Sequence, residues 1–311
     1  MDQLKVCFIG VGSIAKRHIR NLRAVCEEKG IILEINAFRR NSDPVEGVEQ
    51  VYTSEAELPN DYDAIFITNP TDQHLESLKT FHDHGLHFFI EKPVVSLEQI
   101  DNAKNFNLRP DSVYYVAAPL RYNAVIQWIK NTINPDDVIS VRSISSSYLP
   151  DWRPGHDYRN TYSAHKDMGG GVSIDLIHEW DYLTYLFGWP DKVLSMIGRK
   201  SNLEIDSDDY AIYIAEYANK IAELHLDYFG RKTIREIQLI TKDDTILGDI
   251  ADNKARFLKT GKIIDFHEER DDYQRRELVY FLNMIDGTEE TEDGFTHGVE
   301  VLQLTQGGLK E

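Results

Sequence analysis

The sequence predicts an α/β fold: an N-terminal domain on a doubly wound parallel sheet, then an α+β domain with a mostly antiparallel sheet. Three observations predict it. Short, continuous apolar runs alternate with helical patterns up to about residue 120, as in parallel sheets covered on both faces. A glycine-rich loop joins the first run to the first helical pattern. Beyond residue 120 apolar and polar residues alternate, the mark of half-exposed antiparallel strands. At 311 residues the chain exceeds the usual single-domain size, and the change of pattern divides it into residues 1–120 and 121–311.

Lys5 to Ile9 reads as a strand, Ile14 to Lys29 as a helix, Ile31 to Phe38 and Ala64 to Thr68 as strands. Thr71 to His84 is helical, Leu86 to Ile90 a strand, Leu97 to Asn107 a helix and Val113 to Ala117 a strand. In the second domain a helix at Ala124 to Asn131 precedes the strand Val138 to Tyr148. Further strands are expected at Val193 to Gly198, Tyr210 to Tyr217, Ile221 to Phe229 and Ile234 to Thr241. One long helix, Val172 to Phe187, interrupts them behind Gly169-Gly170-Gly171, glycines that let the backbone approach another element or a ligand. Glu277 to Ile285 and Thr296 to Leu304 are the last helices.

The formal charge of −18 argues against a phosphate-backbone partner and an anionic membrane surface, so neither nucleic acid nor membrane is expected. No run approaches the ~20 apolar residues of a membrane span. Without a basic leader and apolar core at the start, and with Cys7 and Cys26 poorly suited to a disulfide framework, the cytoplasm is the expected compartment. No metal site is expected.

In Gly10-x-Gly12-x-x-Ala15 the first glycine permits a tight turn and the second lets backbone N–H groups approach a pyrophosphate. Ala15 allows close helix-to-strand packing, and Ser13 and Ile14 complete the loop. This is a dinucleotide-binding Rossmann pattern. Enzymes of this fold that prefer NAD usually carry an acid at the end of the second strand for the ribose 2′-hydroxyl. Here that end reads Arg39-Arg40-Asn41-Ser42, in which two arginines suit a 2′-phosphate and Ser42 adds a donor, favouring NADP over NAD. Thr68-Asn69-Pro70, with His74 beyond it, is placed to line the cofactor's phosphates and nicotinamide ribose.

Glu91-Lys92-Pro93 lies just past the carboxyl end of a strand, where open α/β sheets bind ligands, and the proline stiffens the turn that aims Lys92. Glu91 and Lys92 are assigned to the cofactor side, and Lys92 also to proton handling or hydroxyl anchoring. Asp175, His178 and Tyr182 are spaced to share one helix face, while Leu176, Trp180, Leu183 and Phe187 share another. A histidine near an aspartate can take a proton from a hydroxyl as hydride leaves the same carbon, so Asp175 and His178 join Lys92 as catalytic candidates. Asp181 reads as a solvated charge. Arg153, Tyr158 and Arg159, in an aromatic and basic loop, are substrate-binding candidates.

The GxGxxA loop, the Thr-Asn-Pro turn with its following histidine, Glu-Lys-Pro, Arg121-Tyr122 and a GGG-then-Asp/His helix occur here in that order. Together they make the chain resemble the Gfo/Idh/MocA oxidoreductases over essentially its full length. The resemblance implies a Rossmann domain plus a domain with an open, mostly antiparallel sheet whose face often serves oligomerisation, here as a homodimer or homotetramer. It also implies NAD(P)-dependent oxidation or reduction of a sugar, cyclitol or nucleotide sugar, with Lys92 beside the reacting hydroxyl and Arg121 toward the substrate. One departure stands out: the family pattern places histidine four residues after the aspartate, whereas here His178 is three on and Glu179 occupies the fourth place. Either residue can face the substrate; His178 is favoured because imidazole titrates near neutral pH. Two other functions fit the same fold, an NAD-dependent glycoside hydrolase and a non-catalytic NAD(P)- or sugar-binding sensor.

Overall fold

The computed structural model describes residues 1–308, which form two compact units. The first comprises Met1–Ala117 and Arg270–Val299, the second Ala118–Glu269 and, of the described residues, 300–308. Residues 270–299 therefore pack with the N-terminal unit, although the sequence pattern assigns everything past 120 to the second domain.

The first unit begins β1 (Gln3–Ile9), α1 (Ser13–Lys29), β2 (Ile32–Phe38), β3 (Gln50–Tyr52), β4 (Tyr62–Ile67), α2 (His74–Thr80), β5 (Gly85–Ile90), α3 (Ile100–Lys104) and β6 (Tyr114–Val116). Its six strands lie in the order β3-β2-β1-β4-β5-β6, all parallel, so the direction of winding reverses between β1 and β4. The strands read as continuous apolar runs because both faces are covered. Phe8 and Phe66 stack at 4.5 Å and Phe66 and Phe89 at 4.9 Å, each burial stabilising by about 1.5–3 kcal/mol. On α1 the buried residues Ala15, His18, Ile19, Leu22, Val25 and Cys26 recur at helical spacing and turn one face inward. Gly30, at φ 69°, ends that helix in a left-handed cap. Cys7 and Cys26 are both buried and unbridged.

In the second unit α4 (Ala124–Thr132) starts where the Asn123 side chain accepts from the Val125 N–H. Then come β7 (Val138–Tyr148), α5 (Val172–Asp175), α6 (His178–Phe187), β8 (Lys192–Gly198), β9 (Tyr210–Tyr217), β10 (Lys220–Asp227) and β11 (Phe229–Thr241). Three short strands follow, β12 (Thr245–Asp249), β13 (Lys254–Phe257) and β14 (Ile263–Asp265). The eight strands lie in the order β14-β13-β12-β11-β7-β10-β9-β8, antiparallel throughout except where β10 runs parallel to β7. One face buries Val141, Tyr213, Leu224, Ile237 and Leu239 and meets α6, whose Trp180 packs edge-on to Tyr213. Leu194, Met196, Ile214 and Ile221, from β8, β9 and β10, are exposed.

The chain ends with α7 (Arg270–Ile285), which sets Phe281 edge-on against Phe66 and Phe89 in the first unit, and α8 (Gly294–Leu304). No described helix is long and apolar enough to cross a membrane.

Several elements differ from expectation. The helix expected over Val172 to Phe187 is two helices broken at Leu176 and Ile177. Asp175 therefore ends α5 while His178 begins α6, and the two do not share one continuous helix face. Tyr182, expected on a polar stripe, is fully buried with its hydroxyl 2.5 Å from Ser143 Oγ. The strand expected at Ile221 to Phe229 stops at Asp227, and Phe229 opens β11.

Candidate functional site

The carboxyl edge of the parallel sheet gathers three loops. After β1, Gly10 turns at φ 82°, and a Cβ there would lie 2.8 Å from Asn69 Cα, so only glycine lets the loops after β1 and β4 abut. Thr68 clamps the same junction, its Oγ1 donating to the Gly10 carbonyl at 2.7 Å. Gly12 caps α1; a Cβ on it would meet nothing within 4 Å, and no acidic side chain occupies the first helical turn. The space beside Gly12 is thus open at the start of α1, where the first N–H groups of a helix suit a pyrophosphate. Ser13 is exposed, Ile14 half-buried and Ala15 buried against the sheet. At the end of β2, Arg39 is half-buried and Arg40 and Ser42 are exposed, with no acidic partner for either arginine among the described residues.

The loops after β4 and β5 are braced to one another. Pro70 is exposed, but His74 is buried with Nε2 2.9 Å from the Asn69 carbonyl and Nδ1 3.1 Å from the Pro93 carbonyl. Burial lowers the pKa of His74 and outweighs the carbonyls that favour its charged form. Glu91 turns toward α1, where its Oε1 lies 2.5 Å from His18 Nε2, while Oε2 accepts the Lys92 N–H at 3.2 Å. Burial pushes the Glu91 carboxyl upward, but the His18 hydrogen bond and the nearby positive charges outweigh it and hold the group below its ordinary value. Glu91 thus fastens the Lys92 loop to the helix that starts at the glycine cradle, a role the sequence reading did not foresee. Lys92 is half-buried at the carboxyl end of β5, followed by a cis peptide to Pro93.

In the second unit Asp175 is buried and accepts from the Tyr228 hydroxyl at 2.5 Å. Burial and the Asp175 charge hold Tyr228 protonated, and that charge also raises Tyr162. Neither tyrosine was a sequence candidate, because each meets Asp175 only through the fold. The glycine run serves protein contacts: a Cβ on Gly170 would sit 2.0 Å from the Tyr162 carbonyl, and one on Gly171, at φ 141°, 2.3 Å from Asp208 Oδ1. Asp208 in turn accepts the Ser173 N–H at 2.9 Å, and burial raises its carboxyl. His178 is half-buried at the start of α6.

Other candidates are committed elsewhere. Glu179 is fully buried, with Oε1 2.7 Å from Arg235 Nε, an environment that suits an internal ion pair better than a substrate contact. Arg121 forks onto Asp181 at 2.9 and 2.7 Å, and both side chains are largely buried, so Asp181 is not the solvated charge its spacing suggested. Arg159 is engaged by Asp157 at 2.8 Å and Glu204 at 3.2 Å, whereas Arg153 lies over the Tyr162 ring and Tyr158 accepts the Glu204 N–H at 3.1 Å. His165, Asp167 and Asp206 bring potential ligand atoms within 4.8 Å of one another on the surface.

Comparison with known proteins fits this geometry. Residues 4–117 match the family model described as the oxidoreductase family with an NAD-binding Rossmann fold, and residues 126–239 match the GFO/IDH/MocA C-terminal domain. The uncharacterized oxidoreductase YrbE of Bacillus subtilis (strain 168) is 27% identical over 193 residues, 60% of this chain and 54% of that protein, so the match spans about half the relative's length. Among solved structures, UDP-N-acetylglucosamine 3-dehydrogenase GnnA from Acidithiobacillus ferrooxidans superposes with a TM-score of 0.76 at 20% identity, covering 98% of this chain and 96% of that one. Levoglucosan dehydrogenase in complex with NADH superposes with a TM-score of 0.81 at 16% identity, covering 98% and 95%. With both family models matched in order, a parallel sheet in the first unit and a mostly antiparallel one in the second, the chain belongs to the GFO/IDH/MocA family of oxidoreductases and takes a nicotinamide cofactor.

Proposed function

We propose that this oxidoreductase transfers hydride between the nicotinamide of NADP, in preference to NAD, and a CH–OH carbon of a sugar, cyclitol or nucleotide sugar. The observation that carries the reading is the order of loops along the carboxyl edge of the parallel sheet. The Thr68 N–H donates to the Ile9 carbonyl at 3.0 Å and the Glu91 N–H to the Ile67 carbonyl at 2.9 Å, so the glycine cradle, the Thr68–Asn69 turn and Lys92 follow one another on adjacent strands. The backbone N–H groups at Gly12 and the start of α1 hold the pyrophosphate; Arg39, Arg40 and Ser42 hold the 2′-phosphate. When bound, the nicotinamide supplies the hydride acceptor or donor. In the oxidation direction Lys92 would anchor the reacting hydroxyl, and His178, three residues after Asp175, would receive the hydroxyl proton as the carbon gives up its hydride to the nicotinamide. The dehydrogenase neighbours named above act on sugar substrates, which supports this substrate class. The exposed apolar side chains Leu194, Met196 and Ile214 support assembly of the protein as a homodimer or homotetramer through that sheet face.

The test is spectrophotometric. Protein with NADP⁺ or NADPH and a panel of polyols and keto-sugars should change absorbance at the reduced-nicotinamide band, and Lys92→Ala should abolish the change. Undiminished turnover in Lys92→Ala would sink the assignment.

A further inference from the structure

Where β11 leaves β7, the ladder breaks. Phe229 pairs with Tyr148 and Ile234 with Ser146, so residues 230–233 stand opposite Ser147 alone and bulge from the sheet. The bulge is built in. Asp227 Oδ1 accepts the N–H groups of Phe229 and Gly230 at 3.0 and 2.8 Å, and a Cβ on Gly230 would lie 2.0 Å from Ser146 Oγ. It turns Arg231 outward over the ring of Tyr148, 3.9 Å from the centroid.

Beside it, the buried Asp209 carboxylate pins the loop after β8, accepting the N–H groups of Lys200 and Ser201 at 2.8 and 2.9 Å and the Ser201 hydroxyl at 2.6 Å. Between bulge and loop lies a pocket of about 330 Å³, the lower end of the range for small-ligand sites. It is lined by the rings of Tyr148, Tyr158 and Phe229 and by Lys200, Ser201 and Arg231, with no carboxylate in its wall. Neither Lys200 nor Arg231 has an ion-pair partner among the described residues. The nearby Glu204 carboxylate is taken by Arg159.

On a chain with a net charge of −18, two cations without ion-pair partners among the described residues, lining one pocket with three aromatic rings, are an informative exception. Cations in such a wall attract a multiply charged anion, and the rings offer faces to a planar group. The pocket is also tied to the proton-handling residues: Phe229 follows Tyr228, whose hydroxyl donates to Asp175 at 2.5 Å.

We infer that this pocket binds a nucleoside diphosphate, the distal part of a nucleotide-sugar substrate, with Arg231 and Lys200 on the phosphates and the base against Tyr148, Tyr158 or Phe229. The inference rests on the proposed sugar-dehydrogenase reading and narrows it to nucleotide-linked sugars.

Uridine diphosphate is the probe, titrated calorimetrically into the full-length protein with and without saturating NADPH. Binding is expected in both conditions, weakened about tenfold or more by Arg231→Glu and by Lys200→Glu. Both positions are exposed, so NADPH affinity and melting temperature should stay at wild-type values. Displacement by NADPH would place the probe in the cofactor site and overturn the inference, as would absent binding or wild-type affinity in both variants. Inorganic pyrophosphate binding as tightly as uridine diphosphate would overturn the stacking of the base. Loss of the proposed function itself reads out separately, as NADPH that fails to bind or polyols and keto-sugars that fail to turn over.

Discussion

Replacing His18 by alanine strands Glu91. In the wild-type protein the two side chains are 2% and 12% exposed and lie 2.5 Å apart. Without the imidazole, the carboxylate stays buried and loses its principal partner. Removing one member of such a pair costs about 3–5 kcal/mol, and in a unit of about 150 residues each kcal/mol lowers the melting temperature by about 2–4 °C. The expected loss is therefore roughly 6–20 °C near pH 7. Glu91→Gln keeps the volume and an acceptor oxygen and should cost nearer 1 kcal/mol. The pH dependence identifies the cause. In the wild type, burial raises the Glu91 carboxyl but His18 and the neighbouring cations more than offset it, so its folded pKa lies below the ordinary 4.5. The stability it contributes is complete above the unfolded value and is lost as pH falls through the folded one. In His18→Ala the balance tips toward burial, and protonation relieves the penalty. The gap between wild type and variant should then be widest near pH 7 and narrow below about pH 5. Circular dichroism melts at pH 7.5, 6 and 4.5 measure it; a loss under about 2 °C, or one of equal size at all three, would refute the reasoning.

Three further outcomes follow from the geometry. Gly12→Ala places its Cβ in open space, so stability should change by no more than about 1 kcal/mol while the affinity for NADPH falls at least about tenfold; equal affinity would mean that the cradle does not hold the pyrophosphate. Arg39→Asp should weaken NADPH by at least about tenfold while sparing NADH, and parallel weakening of both would remove the 2′-phosphate role. Arg235→Leu leaves Glu179 buried and unpaired, costing about 3–5 kcal/mol by denaturant titration, much of it recovered when Glu179→Leu is added; additive losses would contradict the pairing.

Five strands of the parallel sheet were legible because their signal is local, whereas the edge strand β3 was not, being three residues long with no apolar run. Each of the five is a short, largely apolar run, and the glycine loop marks the first turn. Strands β13 and β14 were not, since Lys254–Phe257 and Ile263–Asp265 are too short and too polar to show a period and are recruited by pairing with an existing edge. The break at Leu176 and Ile177 has no glycine or proline to announce it. What fixes the commitments of Asp175 and Glu179 lies far along the chain, in Tyr228 and Arg235. For the same reason Arg121 and Arg159 read from sequence as available cations, whereas the fold gives each an acidic partner. The return of residues 270–299 to the first unit is likewise a tertiary event, driven by the apolar face that carries Phe281.

The single parallel pair in the second sheet, β7 with β10, has a consequence for how this protein can change. Parallel neighbours require a long connection, and here that connection runs from Leu149 to Asn219. It contains Arg153, Tyr158, Asp175 and His178, as well as Lys200 and Ser201 of the pocket. These candidate and pocket residues therefore fall in one excursion whose two ends are anchored in adjacent strands. Such an excursion behaves as a cassette. Its stretches outside β8 and β9 can be lengthened, shortened or rewritten while the register of the sheet is kept, so the loops that carry these side chains can change without rebuilding the strands beneath them.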